Sequence, residues 1–131
     1  MTDQRLTAWS IDRRLEGHPT RTNINVAFVD GAYAMRIAQL RDTFPPHRHD
    51  SDESWFVYKG RMRVDSEIGS VEVGAGEGVV IPAGVRHSPT CLEPDTTVLI
   101  INRKGQRTLP DDHAEFVAAG ATDIDDPEVY R

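Results

Sequence analysis

The amino-acid sequence predicts an all-β fold, an antiparallel barrel or double-sheet jelly roll. Short runs rich in β-branched and aromatic residues succeed one another through the middle of the chain, separated by Gly, Pro, Asp and Ser. The 131 residues suffice for one domain with a buried core and fall short of two of ordinary size. The expected division is an N-terminal arm over 1–22, a single barrel over 23–108, and a short helix with an acidic tail over 109–131.

Residues 1–22 scatter Leu6, Trp9, Ile11 and Leu15 among charges with no sustained period of either kind, as a loosely packed arm does. Trp9 is costly to leave in water and is expected to cover this barrel or that of a neighbouring subunit. Asn25 to Asp30 and Tyr33 to Leu40 read as strands joined at Asp30-Gly31, a dipeptide that supplies the positive φ of a tight hairpin. Either Met35, Ile37 and Gln39 or Arg36, Ala38 and Leu40 face inward; alternation alone leaves both sets open. Phe44-Pro45-Pro46 then imposes an extended approach to His47, because proline fixes its own φ and keeps its predecessor extended.

The stretch Pro46-His47-Arg48-His49-Asp50-Ser51-Asp52-Glu53 carries the first candidate site. In extended chain, residues two apart project from one side, so His47 and His49 point the same way. Asp50 to Asp52 suit a turn, after which Glu53 opens a β-prone run and can swing its carboxylate toward the imidazoles. Two neutral nitrogens and one anionic oxygen suit a divalent first-row metal, although a histidine pair among charges also suits a solvated loop.

If Glu53 points inward, so do Trp55 and Val57, while Phe56 and Tyr58 take the opposite face. Trp55 is thus a candidate substrate-binding wall, or ordinary core. Outward Phe56 and Tyr58 fit a covered face, such as a sheet-to-sheet dimer contact. Gly60 closes the strand, Met62 to Ser66 and Ser70 to Val73 form a hairpin around Glu67-Ile68-Gly69, and Gly78 to Ile81 is the next strand. Thr96 to Asn102 is the last. Beyond Gly105, Pro110-Asp111-Asp112 leads into His113 to Ala119 and then Gly120, the pattern of a short helix; Ala121 to Arg131 is an acidic tail. His18 and His113 fall outside the site.

A second stretch, Gly76-Glu77-Gly78-Val79-Val80-Ile81-Pro82-Ala83-Gly84-Val85-Arg86-His87, runs from a turn through a buried strand to a second turn and a third histidine. If Pro89 keeps register, His87, Pro89 and Cys91 share a face, which makes Cys91 a candidate substrate-binding residue; a free cysteine is also at home as a small buried hydrophobe.

Together the two stretches resemble the cupins. The first is similar to the first cupin motif through His47, His49, Glu53 and Gly60, and the second to the second motif through Gly76, Pro82, Gly84 and His87. Two positions depart: the glycine that opens the first motif falls on Arg41, and the asparagine that closes the second falls on Cys91. Neither is a ligand position. The resemblance spans residues 33–102 and implies an antiparallel double-sheet jelly-roll barrel holding one divalent transition metal near one mouth. It implies His47, His49, Glu53 and His87 as the metal ligands, with two positions of an octahedral ion left for substrate, water or dioxygen. Fe or Mn is the favoured metal and Ni or Zn is compatible, while Ca and Mg want more oxygen donors.

Two functions fit that expectation. One is a small-molecule metalloenzyme of the dioxygenase, isomerase, epimerase or cyclase type, in which Glu53 doubles as a catalytic base. The other is a non-catalytic, metal-dependent small-molecule binding or sensor module. His87-Ser88-Pro89 also resembles ring-cleaving aromatic dioxygenases among the cupins. A homodimer is expected from the family. The net charge of −6, with no basic cluster, argues against nucleic acid or an anionic membrane as partner. A single cysteine, no secretory pattern over Met1 to Leu15 and no long apolar run lead to an expected cytoplasmic location.

Overall fold

The structure is a computed structural model that describes residues 6, 8–17, 23–28, 33–103 and 105–109. Its elements are a short helix α1 (Ile11–Leu15) and eight strands: β1 (Asn23–Phe28), β2 (Tyr33–Gln39), β3 (Glu53–Lys59), β4 (Arg61–Ser66), β5 (Gly69–Gly74), β6 (Gly78–Ile81), β7 (His87–Cys91) and β8 (Thr97–Arg103). They form two antiparallel sheets, one ordered β1-β2-β8-β3-β6 and the other β5-β4-β7. This is the all-β jelly roll that the alternation predicts. The expected Asp30-Gly31 turn, the helix at 113–119 and the acidic tail lie outside the described residues.

Residues directly opposite each other in an antiparallel ladder share a face. Across β2, β8 and β3 the register therefore builds three inward rungs: Ala34–Asn102–Glu53, Arg36–Ile100–Trp55 and Ala38–Val98–Val57. Met62, Val64 and Val73 from the smaller sheet close on the last two rungs, and Leu40, Val79 and Val85 pack at the margin. Full burial of a side chain such as Val57, Met62 or Val98 contributes about 1.5–3 kcal/mol. Of the two possible inward sets on β2, the structure selects Arg36, Ala38 and Leu40, and Ile37 is buried on the other face.

The N-terminal arm contains a helical turn that its sequence does not announce. Ser10 caps α1 by accepting the Arg13 N–H at 3.1 Å, Asp12 sits in the first turn, and Arg13 and Arg14 in the last. The Tyr58 hydroxyl donates to Asp12 Oδ2 at 3.2 Å, which ties the turn to the outward side of β3. Trp9 remains 39 % exposed.

Pro89 leaves β7 in register, with pairs running unbroken from Met62↔Cys91 to Ser66↔His87. The proline sits where β7 meets only isolated bridges on its other side, and its carbonyl still accepts the Phe44 N–H at 2.9 Å. No helix among the described residues is long and apolar enough to cross a membrane.

Candidate metal centre

The three histidines meet because two distant segments pair locally. His47 and His87 are bridged as a narrow antiparallel pair, each N–H donating to the other's carbonyl at 3.0 and 2.9 Å. Their rings stand 4.4 Å apart between centroids. His49 comes next in the extended approach that Pro45 and Pro46 favour, with its ring 4.7 Å from that of His47. Its carbonyl accepts the Gly84 N–H at 2.9 Å. Gly84 has a φ of +77°, so the Pro82–Gly84 turn that delivers His87 also anchors His49.

Each imidazole is turned by a bond on its outer nitrogen. His47 Nδ1 lies 2.8 Å from the Pro45 carbonyl and His87 Nδ1 2.8 Å from the Val85 carbonyl. A carbonyl only accepts, so Nδ1 carries the proton in both rings and Nε2 keeps its lone pair for a cation. His49 Nδ1 is 3.2 Å from the Thr108 hydroxyl. One nitrogen from each ring falls within a common span of 4.8 Å, and all three residues are buried. The three-histidine cluster is thus a pre-shaped seat for a divalent metal.

Glu53 opens β3 on the same inward rung. Its Oε1 is 3.6 Å from His87 Nε2 and its Oε2 is 3.7 Å from His49 Nε2. Asn102 Nδ2 donates to Oε2 at 2.6 Å and to Gln106 Oε1 at 2.9 Å, and Gln106 Nε2 in turn donates to Ser51 Oγ at 2.9 Å. One carboxylate oxygen is held from behind; Oε1 is buried with no hydrogen-bond partner. A buried anionic oxygen facing two imidazoles is what a cation would satisfy, so the donor set fits a metal.

Burial drives the His47 imidazolium out, aided by the neighbouring His87 and His49, and its pKa falls from 6.5 to about 4. Burial alone would push the Glu53 carboxyl up; the contacts with His87 and then His49 outweigh it and hold the group well below the usual carboxylate range. Near neutral pH His47 therefore offers a lone pair and Glu53 an anion, the protonation state a metal requires of these two groups.

The structure brings His47, His49, His87 and Glu53 together and keeps Cys91 apart. Cys91 ends β7 four residues from His87, half-buried, with Sγ donating to the Glu93 carbonyl at 2.9 Å. It lines a separate cleft of about 400 Å³ with Leu40, Arg41 and Leu92. A shared strand face does not make a shared site, because β7 runs away from the histidines. Trp55 is buried on the rung next to Glu53, and its indole N–H faces that carboxylate without an acceptor at hydrogen-bond distance. Asn102, Gln106 and Thr108 join the site without having been expected there. For Asn102 a signal exists, since inward Val98 and Ile100 put it on the same face by a period of two. Gln106 and Thr108 come from the segment after β8, where no periodicity applies.

Comparison with known proteins agrees with this fold. An uncharacterised protein of Streptomyces coelicolor is 34 % identical over 71 residues, a match that covers 54 % of this chain and 65 % of that protein, just under two thirds of its length. The crystal structure of a cupin-2 domain containing protein from Shewanella frigidimarina superposes with a TM-score of 0.64 at 26 % identity, over 71 % of this chain and 90 % of that one. A hydroquinone 1,2-dioxygenase, solved in complex with Cd2+ and 4-hydroxybenzonitrile, shares the fold at a TM-score of 0.63 and 16 % identity, over 80 % of this chain and 82 % of that one. The family model described as Cupin domain matches residues 34–101, from the rung that carries Asn102 and Glu53 to the end of β8's apolar run. Both histidine-bearing stretches lie inside that span, and the chain belongs to the Cupin domain family.

Proposed function

We propose that this chain is a metal-dependent enzyme acting on a small molecule, of the dioxygenase, isomerase, epimerase or cyclase type, and that it works as a homodimer. The observation that carries the reading is the convergence of three histidine nitrogens, each ring oriented from behind, beside a buried carboxylate oxygen that lacks a hydrogen-bond partner. His47, His49 and His87 would hold the ion through Nε2, and Glu53 through Oε1. Such an ion supplies Lewis acidity or an open position for a ligand. Fe(II) or Mn(II) is favoured over Ni(II) and Zn(II), because three imidazoles and a carboxylate suit an octahedral centre with room to spare. A fold shared with a dioxygenase that binds a metal and an aromatic ligand supports the reading.

Two duties are proposed for Glu53, ligand and base. Asn102 fixes Oε2, so Glu53 is oriented as a ligand, and its use as a base requires that bond to Asn102 to yield. That same clamp favours the second reading, a metal-dependent binding module in which nothing moves. Metal analysis and a turnover screen separate the two. Purified protein should carry one Fe or Mn per chain, and Glu53→Gln should lower metal affinity by about 10–100-fold and abolish turnover. Stoichiometric Zn with no oxygen uptake or turnover in the loaded protein overturns the enzymatic reading.

A further inference from the structure

His49 and Glu53 are both backed by one short stretch that follows the last strand. The chain turns back after β8, where the Gln106 N–H donates to the Arg103 carbonyl at 3.1 Å. It then lies antiparallel beside 48–50: the Leu109 N–H donates to the Arg48 carbonyl at 2.9 Å and the Asp50 N–H to the Arg107 carbonyl at 3.0 Å, with Thr108 opposite His49 between them. Opposed residues that exchange no backbone bond of their own are the pairs whose side chains come closest. That register puts the Thr108 hydroxyl 3.2 Å from His49 Nδ1, with both residues buried.

The contact with Glu53 runs through amides whose direction is fixed from the backbone. Gln106 Nε2 lies 3.1 Å from the Ser51 carbonyl and 2.9 Å from Ser51 Oγ. A carbonyl only accepts, so the nitrogen of Gln106 faces Ser51 and its Oε1 faces Asn102. Oε1 only accepts as well, which turns Asn102 Nδ2 toward it at 2.9 Å and leaves that nitrogen's other hydrogen for Glu53 Oε2 at 2.6 Å. A flipped Asn102 would set Oδ1 against two acceptors. We infer that Gln106 and Thr108 are positioning residues of the metal centre. Gln106 fixes Glu53 through Asn102, so that Oε1 is the oxygen left for the ion, and Thr108 accepts the His49 Nδ1 proton, so that Nε2 keeps its lone pair. His47 and His87 receive the same service from the carbonyls of Pro45 and Val85, whereas His49 and Glu53 depend on side chains that a substitution removes. The inference rests on the proposed metal centre and assigns what holds two of its ligands.

The test is the Mn(II) affinity of the full-length chain, read by calorimetry, with the fold of each variant followed by circular dichroism. Gln106→Met, which keeps the length and loses the amide, and Thr108→Val, which keeps the shape and loses the hydroxyl, should each weaken Mn(II) binding by about tenfold. Thr108→Ser should bind as the wild type does. In a Glu53→Gln chain, Gln106→Met should cost less than about threefold more, because its effect passes through that carboxylate; a residue that only supports the fold would cost the same in both backgrounds. Wild-type affinity in both single variants overturns the inference and leaves the metal reading standing. So does a Gln106→Met loss that persists in full beside Glu53→Gln, or a Thr108→Ser chain as weak as Thr108→Val. Should Gln106→Met fail to fold, the two Thr108 variants decide. A wild-type chain that takes up neither Mn(II) nor Zn(II) sinks the metal reading, and the inference with it.

Discussion

His47 shows how burial converts an ordinary side chain into a ligand. Its pKa of about 4 lies below the usual 6.5, so the native state refuses a proton that the unfolded chain accepts. As pH falls from 6.5 toward 4, the unfolded state gains that proton alone, and stability drops across this window. Glu53, held below its usual 4.5, acts in the same direction further down, because its stabilisation is present above 4.5 and is lost as the carboxyl is protonated. The metal-free protein should therefore have a level thermal midpoint above about pH 7 and a decline that starts near 6.5, well before carboxylates titrate. Thermal unfolding at graded pH in a chelating buffer checks this, and His47→Gln should remove the upper part of the decline. A midpoint unchanged between 6.5 and 4.5 would show that the imidazole is not held neutral by the fold.

At the scale of elements, the β3–β4 turn is packed tightly against Thr96. Gly60 has a φ of +88°, and a Cβ there would come within 2.7 Å of the Thr96 Cα. Thr96 cannot retreat, since its hydroxyl accepts the Arg61 N–H at 3.2 Å and donates to the Glu93 carbonyl at 2.7 Å. Gly60→Ala combines an unfavourable backbone region with a backbone clash and should cost about 2–4 kcal/mol, read by urea unfolding. A loss below about 0.5 kcal/mol would mean that the turn relaxes freely. The need for glycine here is legible in the sequence, as is the alternation of β3, because period-two burial leaves a direct trace: Glu53, Trp55 and Val57 are buried while Phe56 and Tyr58 are exposed. The histidine cluster is legible through its spacing. Other features leave no such trace. One turn of helix in α1 is too short to show a period, and the inward set of β2 mixes Ala34, Arg36 and Ala38, so its hydrophobicity does not alternate. Cys91 lies four residues along β7 from His87, a separation that alternation does not report because it fixes a face and says nothing of distance along the strand.

For the whole molecule, the proposed homodimer would use the outward side of the five-stranded sheet. The register that builds the inward rungs also aligns outward ones, Ile37–Leu99–Phe56 and Met35–Ile101–Ser54–Val80. Phe56 is 44 % and Val80 64 % exposed, with Met35, Leu99 and Ile101 half-buried, so this side leaves several apolar side chains partly in water. A monomer rarely keeps such a surface in water, and stable interfaces bury about 1,200–2,000 Å² in total. A second copy of the same sheet, related by a two-fold axis, would cover it with its own Phe56 and Val80. The barrel interior lies on the opposite side of these strands, so the association leaves the histidines untouched. Light scattering on a sizing column should give twice the chain mass for the wild type. Val80→Asp and Phe56→Glu should shift it to the monomer with circular dichroism and metal content unchanged, because neither side chain belongs to the core. A wild-type monomer at high micromolar concentration would mean that this surface has another partner and that the homodimer is wrong.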